Sequence, residues 1–173
     1  MNIRLGRLAL AFAAGSLMPF AFSPYDHLVC AVLGLGGWAW LLRQGHGFAL
    51  GFAFGLGWFG TGAWWLAGTF HQYGHLAQPL AWLCVLLVGA ALALFPALWG
   101  WLCARWSRTP WQLALLFPLL GGAEEWLRGH LFTGLPWTAL GNLLLDTPGV
   151  GWLAVLGVYG ASCLVCLPAI ACL

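Results

Sequence analysis

The sequence predicts an all-α bundle that spans a membrane, on three observations. Hydrophobic residues make up 62% of the 173 residues, above the roughly 45–50% of a soluble domain. Charged residues make up only 6%, against about 25%. Mean hydropathy is +0.90, and the apolar residues fall in runs near the ~20 residues that cross a bilayer. So few charges cannot keep the surface of a soluble globule hydrated. A soluble enzyme, a disordered chain and a nucleic-acid binder are excluded on that ground. In lipid an open chain satisfies its backbone only as helices, which fixes the class.

Each element follows in order. The first span is the apolar run 8–22, behind Arg4 and Arg7. Those basic and apolar stretches have the pattern of a signal peptide, but the run is read as a span that stays. Ser23-Pro24-Tyr25-Asp26 is a turn, because Pro presets φ and Ser and Asp bond their own backbone. A second span, 28–42, closes on Arg43-Gln44-Gly45-His46. A third runs over 47–70, and a polar segment, 71–79, leads to a fourth over 80–104. Arg105-Trp106-Ser107-Arg108-Thr109-Pro110 breaks the chain before a fifth span, 111–126. A semi-polar stretch, 127–148, reads as interfacial or re-entrant over the outer span ends. A sixth span starts at 149. The whole chain, 1–173, reads as one transmembrane domain of about six spans with no soluble domain.

Charge sets the expected orientation. Arg4, Arg7, Arg43, Arg105 and Arg108 fall on one side of such a chain. Asp26, Glu124, Glu125 and Asp146 fall on the other, with Arg128. The positive-inside rule puts both termini in the cytoplasm. The basic residues are all Arg and lie scattered in sequence, so no basic patch for nucleic acid or anionic lipid is expected.

Few residues invite chemistry. Cys30, Cys84, Cys103, Cys163, Cys166 and Cys172 lie in or near apolar runs and read as small apolar side chains. Gly47, Gly51 and Gly55 recur every fourth residue and read as a groove where another backbone packs. His71 and His75 have metal-pair spacing, but Gly74 interrupts the helix that would aim both rings, so no metal site is read. No cofactor is read either. The richest stretch is Glu124-Glu125-Trp126-Leu127-Arg128-Gly129, followed by Thr133-Gly134-Leu135-Pro136-Trp137. Glu124 and Arg128 are i,i+4, and Glu125 and Arg128 are i,i+3, so either pair can meet on a helix face. Ionisable residues at membrane depth point to function, while a structural ion pair at a helix end stays open beside it. The chain has no Lys, and no Ser or Cys has an evident base. No catalytic residue is therefore assigned.

These motifs together resemble the N-terminal membrane part of the apolipoprotein N-acyltransferase family. The resemblance rests on Phe22-Ser23-Pro24-Tyr25-Asp26, Gly57-Trp58-Phe59-Gly60-Thr61-Gly62, Leu94-Phe95-Pro96-Ala97-Leu98, Glu125-Trp126-Leu127-Arg128-Gly129 and Thr133-Gly134-Leu135-Pro136-Trp137. Leu135 stands where the family usually has Phe, and Ala63-Trp64-Trp65-Leu66-Ala67-Gly68 departs from its pattern. The resemblance implies a role in bacterial lipoprotein maturation at the cytoplasmic (inner) membrane. That family moves a fatty acyl chain from a phospholipid to the N-terminal diacylglyceryl-cysteine of a lipoprotein. It implies as partners a phospholipid acyl donor, a diacylated lipoprotein and a nitrilase-like domain bearing a Glu-Lys-Cys triad. No triad residue can be carried onto this sequence, so these residues alone are expected to be an inactive platform. Arg128 is expected to meet a lipid phosphate, Trp126 and Trp137 to cover lipid carbons, and Thr133 and Gly134 to bond a headgroup while Pro136 holds the turn. The alternative is a small non-catalytic membrane protein, such as a transporter or channel half or an assembly factor.

Overall fold

The computed structural model describes residues 5–131 and 134–172; Arg4 and the expected site residue Thr133 lie outside the described residues. Among the described residues the structure is all-helical. Its helices are α1 (Leu5–Ser16), α2 (Leu28–Leu42), α3 (Gly47–Gly62), α4 (Leu66–Gln72), α5 (Gln78–Trp106), α6 (Pro110–His130) and α7 (Gly151–Cys166). Short 3₁₀ turns cover Met18–Ala21, Leu140–Leu144, Pro148–Val150 and Pro168–Cys172.

Local chemistry explains most boundaries. Pro19, with no N–H to give, opens the turn that ends the first apolar run. Gly45 at φ 83° and His46 at φ 60° reverse the chain after α2 in the left-handed region. Thr109 caps α6 by accepting the Gln112 N–H at 3.2 Å, and Pro110 takes the first helical position, where its missing N–H costs nothing. The expected third span is broken: α3 stops at Gly62, and Ala63–Trp65 turn the chain into the short α4. Gly60 and Gly62 lower the helix propensity there. Conversely α6 runs past the expected end at 126 and carries Arg128 and His130 inside the helix.

α3 is the centre of the packing, with α1 on one side and α5 on the other. Its glycines make both contacts. A Cβ at Gly47, Gly51 or Gly55 would run into the α5 backbone at Gly100, Pro96 or Ala93. A Cβ at Gly57 would strike the Phe12 carbonyl of α1, and one at Gly15 the Phe54 carbonyl of α3. The expected groove is therefore filled by a neighbouring helix. Beside it lies an aromatic core. Trp38 stacks on Phe54 at 4.3 Å and meets Trp99 edge-on at 4.7 Å. Trp99 Nε1 donates to the Phe117 carbonyl at 2.9 Å, which ties α5 to α6.

Many large apolar side chains are exposed. Leu83, Leu86, Leu87 and Leu94 of α5, and Val155 of α7, are exposed. A continuous apolar surface of this kind suits lipid rather than water. Among the described residues, two segments are long and apolar enough to cross a membrane, Gln78–Trp106 and Pro148–Ala171. Leu5–Ala21 and Leu28–Leu42 are apolar but shorter. The described cysteines Cys30, Cys84, Cys103, Cys163 and Cys166 are free thiols.

Candidate functional site

The last turns of α6 place Glu124, Glu125 and Arg128 toward the interior, where they are 5%, 1% and 2% exposed. Their i,i+3 and i,i+4 spacing makes both ion pairs at once. Arg128 Nε lies 3.5 Å from Glu124 Oε1, and Nη2 donates to Glu125 Oε1 at 3.3 Å. Arg128 Nη1 donates to two backbone carbonyls, Leu135 at 2.9 Å and Trp137 at 2.6 Å. The guanidinium also lies 5.4 Å from the ring centroid of Phe59 on α3. Every guanidinium nitrogen thus faces a protein oxygen.

Glu125 completes a clasp. Its Oε1 accepts the Leu140 N–H at 2.7 Å. Its Oε2 accepts the Ser162 hydroxyl of α7, and Ser162 Oγ in turn accepts the Gly141 N–H at 2.9 Å. One carboxylate therefore joins α6, α7 and the buried turn Leu140–Leu144. A charge at this depth is tolerable only with such partners. Glu124 has the ion pair alone, with no hydrogen bond to either oxygen. In the stretch read as interfacial or re-entrant, Ala139, Leu140, Gly141 and Leu143 are buried, while Leu135, Pro136, Asn142 and Asp146 are exposed. Gly134 makes the required reversal at φ 82°, and Leu135 N–H returns to the Arg128 carbonyl at 2.9 Å.

The expected site residues do not converge on one cavity. Arg128 and Gly134 line an apolar cavity of about 560 Å³ between α5 and α6, with Leu94, Phe95, Leu98 and Leu127. Trp137 lines a different cavity of about 330 Å³, shared with Phe22, Ser23 and Asp26 of the first turn and with Asn142 and Asp146. Trp137 also meets Trp65 edge-on at 5.6 Å. Trp126 is 53% exposed and stacks on His130 at 4.7 Å. Pro136 is exposed. The turn after α1 and the stretch after α6, far apart in sequence, thus share a cavity wall.

Sequence reasoning missed Ser162, Phe59 and Trp65. Ser162 carried a signal, a lone hydroxyl in an apolar run that has to bond something when buried. Phe59 and Trp65 stood in motifs already noted, but nothing local marked Phe59 as the ring beside Arg128 or Trp65 as the partner of Trp137. The His71 and His75 pair is split: His71 Nδ1 bonds the Leu76 carbonyl at 2.8 Å and His75 turns at φ 51°.

Known proteins are similar to this chain in sequence. Residues 14–171 match the family model described as apolipoprotein N-acyltransferase N-terminal domain. A protein of Nitrosomonas europaea named apolipoprotein N-acyltransferase is 40% identical over 169 residues, covering 94% of this chain and 34% of its own length. One of the same name from Ralstonia nicotianae is 41% identical over 160 residues, covering 87% of this chain and 30% of its own length. A third, from Methylococcus capsulatus, is 38% identical over 160 residues, with 90% and 32% covered. The chain thus spans about a third of the length of these relatives. With its charged clasp and both flanking motifs inside the matched region, the chain belongs to the apolipoprotein N-acyltransferase family and corresponds to its N-terminal domain.

Proposed function

We propose that these residues form the membrane platform of an apolipoprotein N-acyltransferase and give a phospholipid acyl donor access to the reaction. The observation that carries this reading is the apolar cavity between α5 and α6. Its walls, Leu94, Phe95, Leu98, Leu127 and Leu135, suit an acyl chain entering from the bilayer. Its head is the clasp, in which Arg128 holds the carbonyls of Leu135 and Trp137. Arg128 and Gly134 line the donor's path, and Trp126, Thr133, Pro136 and Trp137 are the further residues proposed to meet the lipid. The acceptor in this reading is a diacylated lipoprotein, presented with the donor to a nitrilase-like domain.

The platform is one transmembrane domain with six crossings of the bacterial inner membrane and both ends in the cytoplasm. Arg43 and Arg105 close α2 and α5 on the inner side, and Asp26 and Asp146 lie outside, as the positive-inside rule requires. A reporter fused after residue 173 is expected to be active only in the cytoplasm. These residues alone transfer no acyl group, since they hold no Lys and no activated nucleophile. The purified chain with phospholipid and a diacylated lipoprotein peptide is expected to give no triacylated product by mass spectrometry.

The deciding experiment joins this chain to a nitrilase-like domain and fills the cavity with Leu98→Trp. Phospholipid turnover is expected to fall sharply at unchanged protein level. Full turnover would make the cavity irrelevant to the donor.

A further inference from the structure

The cavity between α5 and α6 has a third wall that neither helix supplies. Leu94 and Leu98 line it from α5 and Leu127 from α6, while Gly134 and Leu135 come from the stretch that follows α6. Leu98 neighbours Trp99, whose indole N–H bonds the Phe117 carbonyl of α6 at 2.9 Å, so the two helices are tied together at that end. From Leu98 the lining residues of α5 reach back to Ala91, about 10 Å along the helix. Leu135 stands at the clasp end, bonded to Arg128, which lines the same cavity.

Leu135 lies outside any helix, yet its backbone is fixed from both sides. Its N–H donates to the Arg128 carbonyl at 2.9 Å, and its own carbonyl accepts Arg128 Nη1 at 2.9 Å. Before it, Gly134 turns at φ 82° so close to α6 that a Cβ would strike the Gly129 carbonyl. After it, Pro136 restricts the backbone of the residue it follows. Arg128 is itself anchored by Glu124 and Glu125. The Leu135 side chain is 44% exposed, which puts it at the mouth of the cavity and not in the core. A wall whose backbone is pinned cannot retreat from a bulkier ligand, and extra volume against such a wall is costly.

We propose that Leu135 selects the acyl chain of the donor, passing a straight chain and rejecting one that is methyl-branched near its ester. The selection rests on the donor reading of this cavity and adds which donors it takes. With the headgroup end of the lipid at the clasp, the first carbons of the chain pass Leu135 and the later ones run toward Leu98. A methyl branch on the first carbons meets the fixed side chain. A branch at the far end of the chain does not.

The test uses the full chain in nanodiscs of dioleoyl phosphatidylcholine that hold equal small amounts of dipalmitoyl and diphytanoyl phosphatidylethanolamine. The phytanoyl chain carries its first methyl branch close to the ester, and the shared headgroup cancels in the comparison. Lipids retained on release are counted by native mass spectrometry. The dipalmitoyl lipid is expected to be retained about tenfold over the diphytanoyl lipid, the lower end of what one extra carbon costs in a fitted apolar pocket. A lipid branched only at its chain ends is expected to be retained like the dipalmitoyl one. Leu135→Ala is expected to bring the ratio below about twofold, with the unfolding temperature in detergent unchanged. Leu135→Met conserves volume and is expected to keep the native ratio. Leu94→Ala widens the same cavity from the α5 side and is expected to leave the ratio within about twofold of native. Equal retention by the native chain, an unchanged ratio in Leu135→Ala, or an equal loss of the ratio in Leu94→Ala overturns Leu135 as the selector. Equal rejection of the end-branched lipid does the same. Leu98→Trp separates this from the donor reading. Dipalmitoyl retention that falls in Leu98→Trp, with a ratio that ignores Leu135, leaves a lipid in the cavity and overturns the selection alone. Retention that ignores both positions overturns the selection and the donor cavity together.

Discussion

Two seams hold this bundle together, and they work by opposite means. Between α3 and α5 the contact is backbone on backbone, with Gly47, Gly51 and Gly55 removing side chains so that Gly100, Pro96 and Ala93 can approach. Between α6, α7 and the 3₁₀ turn the contact is a polar clasp of Arg128, Glu125 and Ser162 with the N–H groups of Leu140 and Gly141. The first seam gains dispersion contact over many atoms and tolerates no added volume. The second gains directional bonds and tolerates no missing partner. A membrane bundle cannot use the hydrophobic effect to press helices together in lipid, so it needs both devices. The glycine seam runs along α3 against the Gly89–Gly100 part of α5. The clasp fixes an irregular stretch beside a cavity, where position counts more than area.

The strongest way to break the comparison is at the clasp. Arg128→Ala leaves Glu124 and Glu125 buried without a cation, and it is expected to cost about 3–5 kcal/mol. Thermal unfolding in detergent measures the loss. Adding Glu125→Ala is expected to return part of it, because the double variant no longer strands that charge. Strict additivity of the two changes would show that the clasp is not a unit.

The glycine seam ranks next. Gly51→Val drives a side chain into the Pro96 backbone, an obstacle that cannot rotate away. The expected loss is about 3 kcal/mol, the upper end for overpacking. Gly60→Ala is the control on the same helix. A Cβ there meets nothing within 4 Å, so the change is expected to be neutral or to stabilise by up to about 1 kcal/mol through helix propensity. An equal loss at both positions would mean that glycine acts through flexibility and not through the seam.

Ser162→Ala sharpens the clasp at smaller scale. It removes one hydrogen bond to Glu125 and the acceptor for Gly141 N–H, and leaves Arg128 in place. The expected loss is about 1–2 kcal/mol. Hydrogen exchange of the Gly141 amide is expected to speed up in this variant, while amides of the α3 and α5 seam keep their native rates. Acceleration spread over both seams would refute their independence.

The smallest change expected is at the surface. Arg108→Gln touches no described side-chain partner and is expected to shift stability by less than about 0.5 kcal/mol.

The sequence by itself determined the fold class, the main helices and the charged pairs. Few charges and long apolar runs leave helices as the backbone solution in lipid. The spacing of Glu124, Glu125 and Arg128 on one helix makes their pairing a matter of helix geometry alone. The four-residue glycine period likewise announced a close contact, because helical periodicity is local. Tertiary structure decided the rest. The sequence could not say that α5 and α1 would fill the two glycine faces of α3. It did not show that Arg128 would turn inward and spend its donors on the carbonyls of Leu135 and Trp137. It separated Arg43 from Arg108, and Phe22 from Trp137, which the fold sets on common cavities. The break of the third span at Ala63 also eluded it, since apolar residues continue across the turn. Such facts depend on contacts between residues distant in the chain. Hydrophobicity in a bilayer assigns no partners, so packing shape and buried hydrogen bonds make that choice.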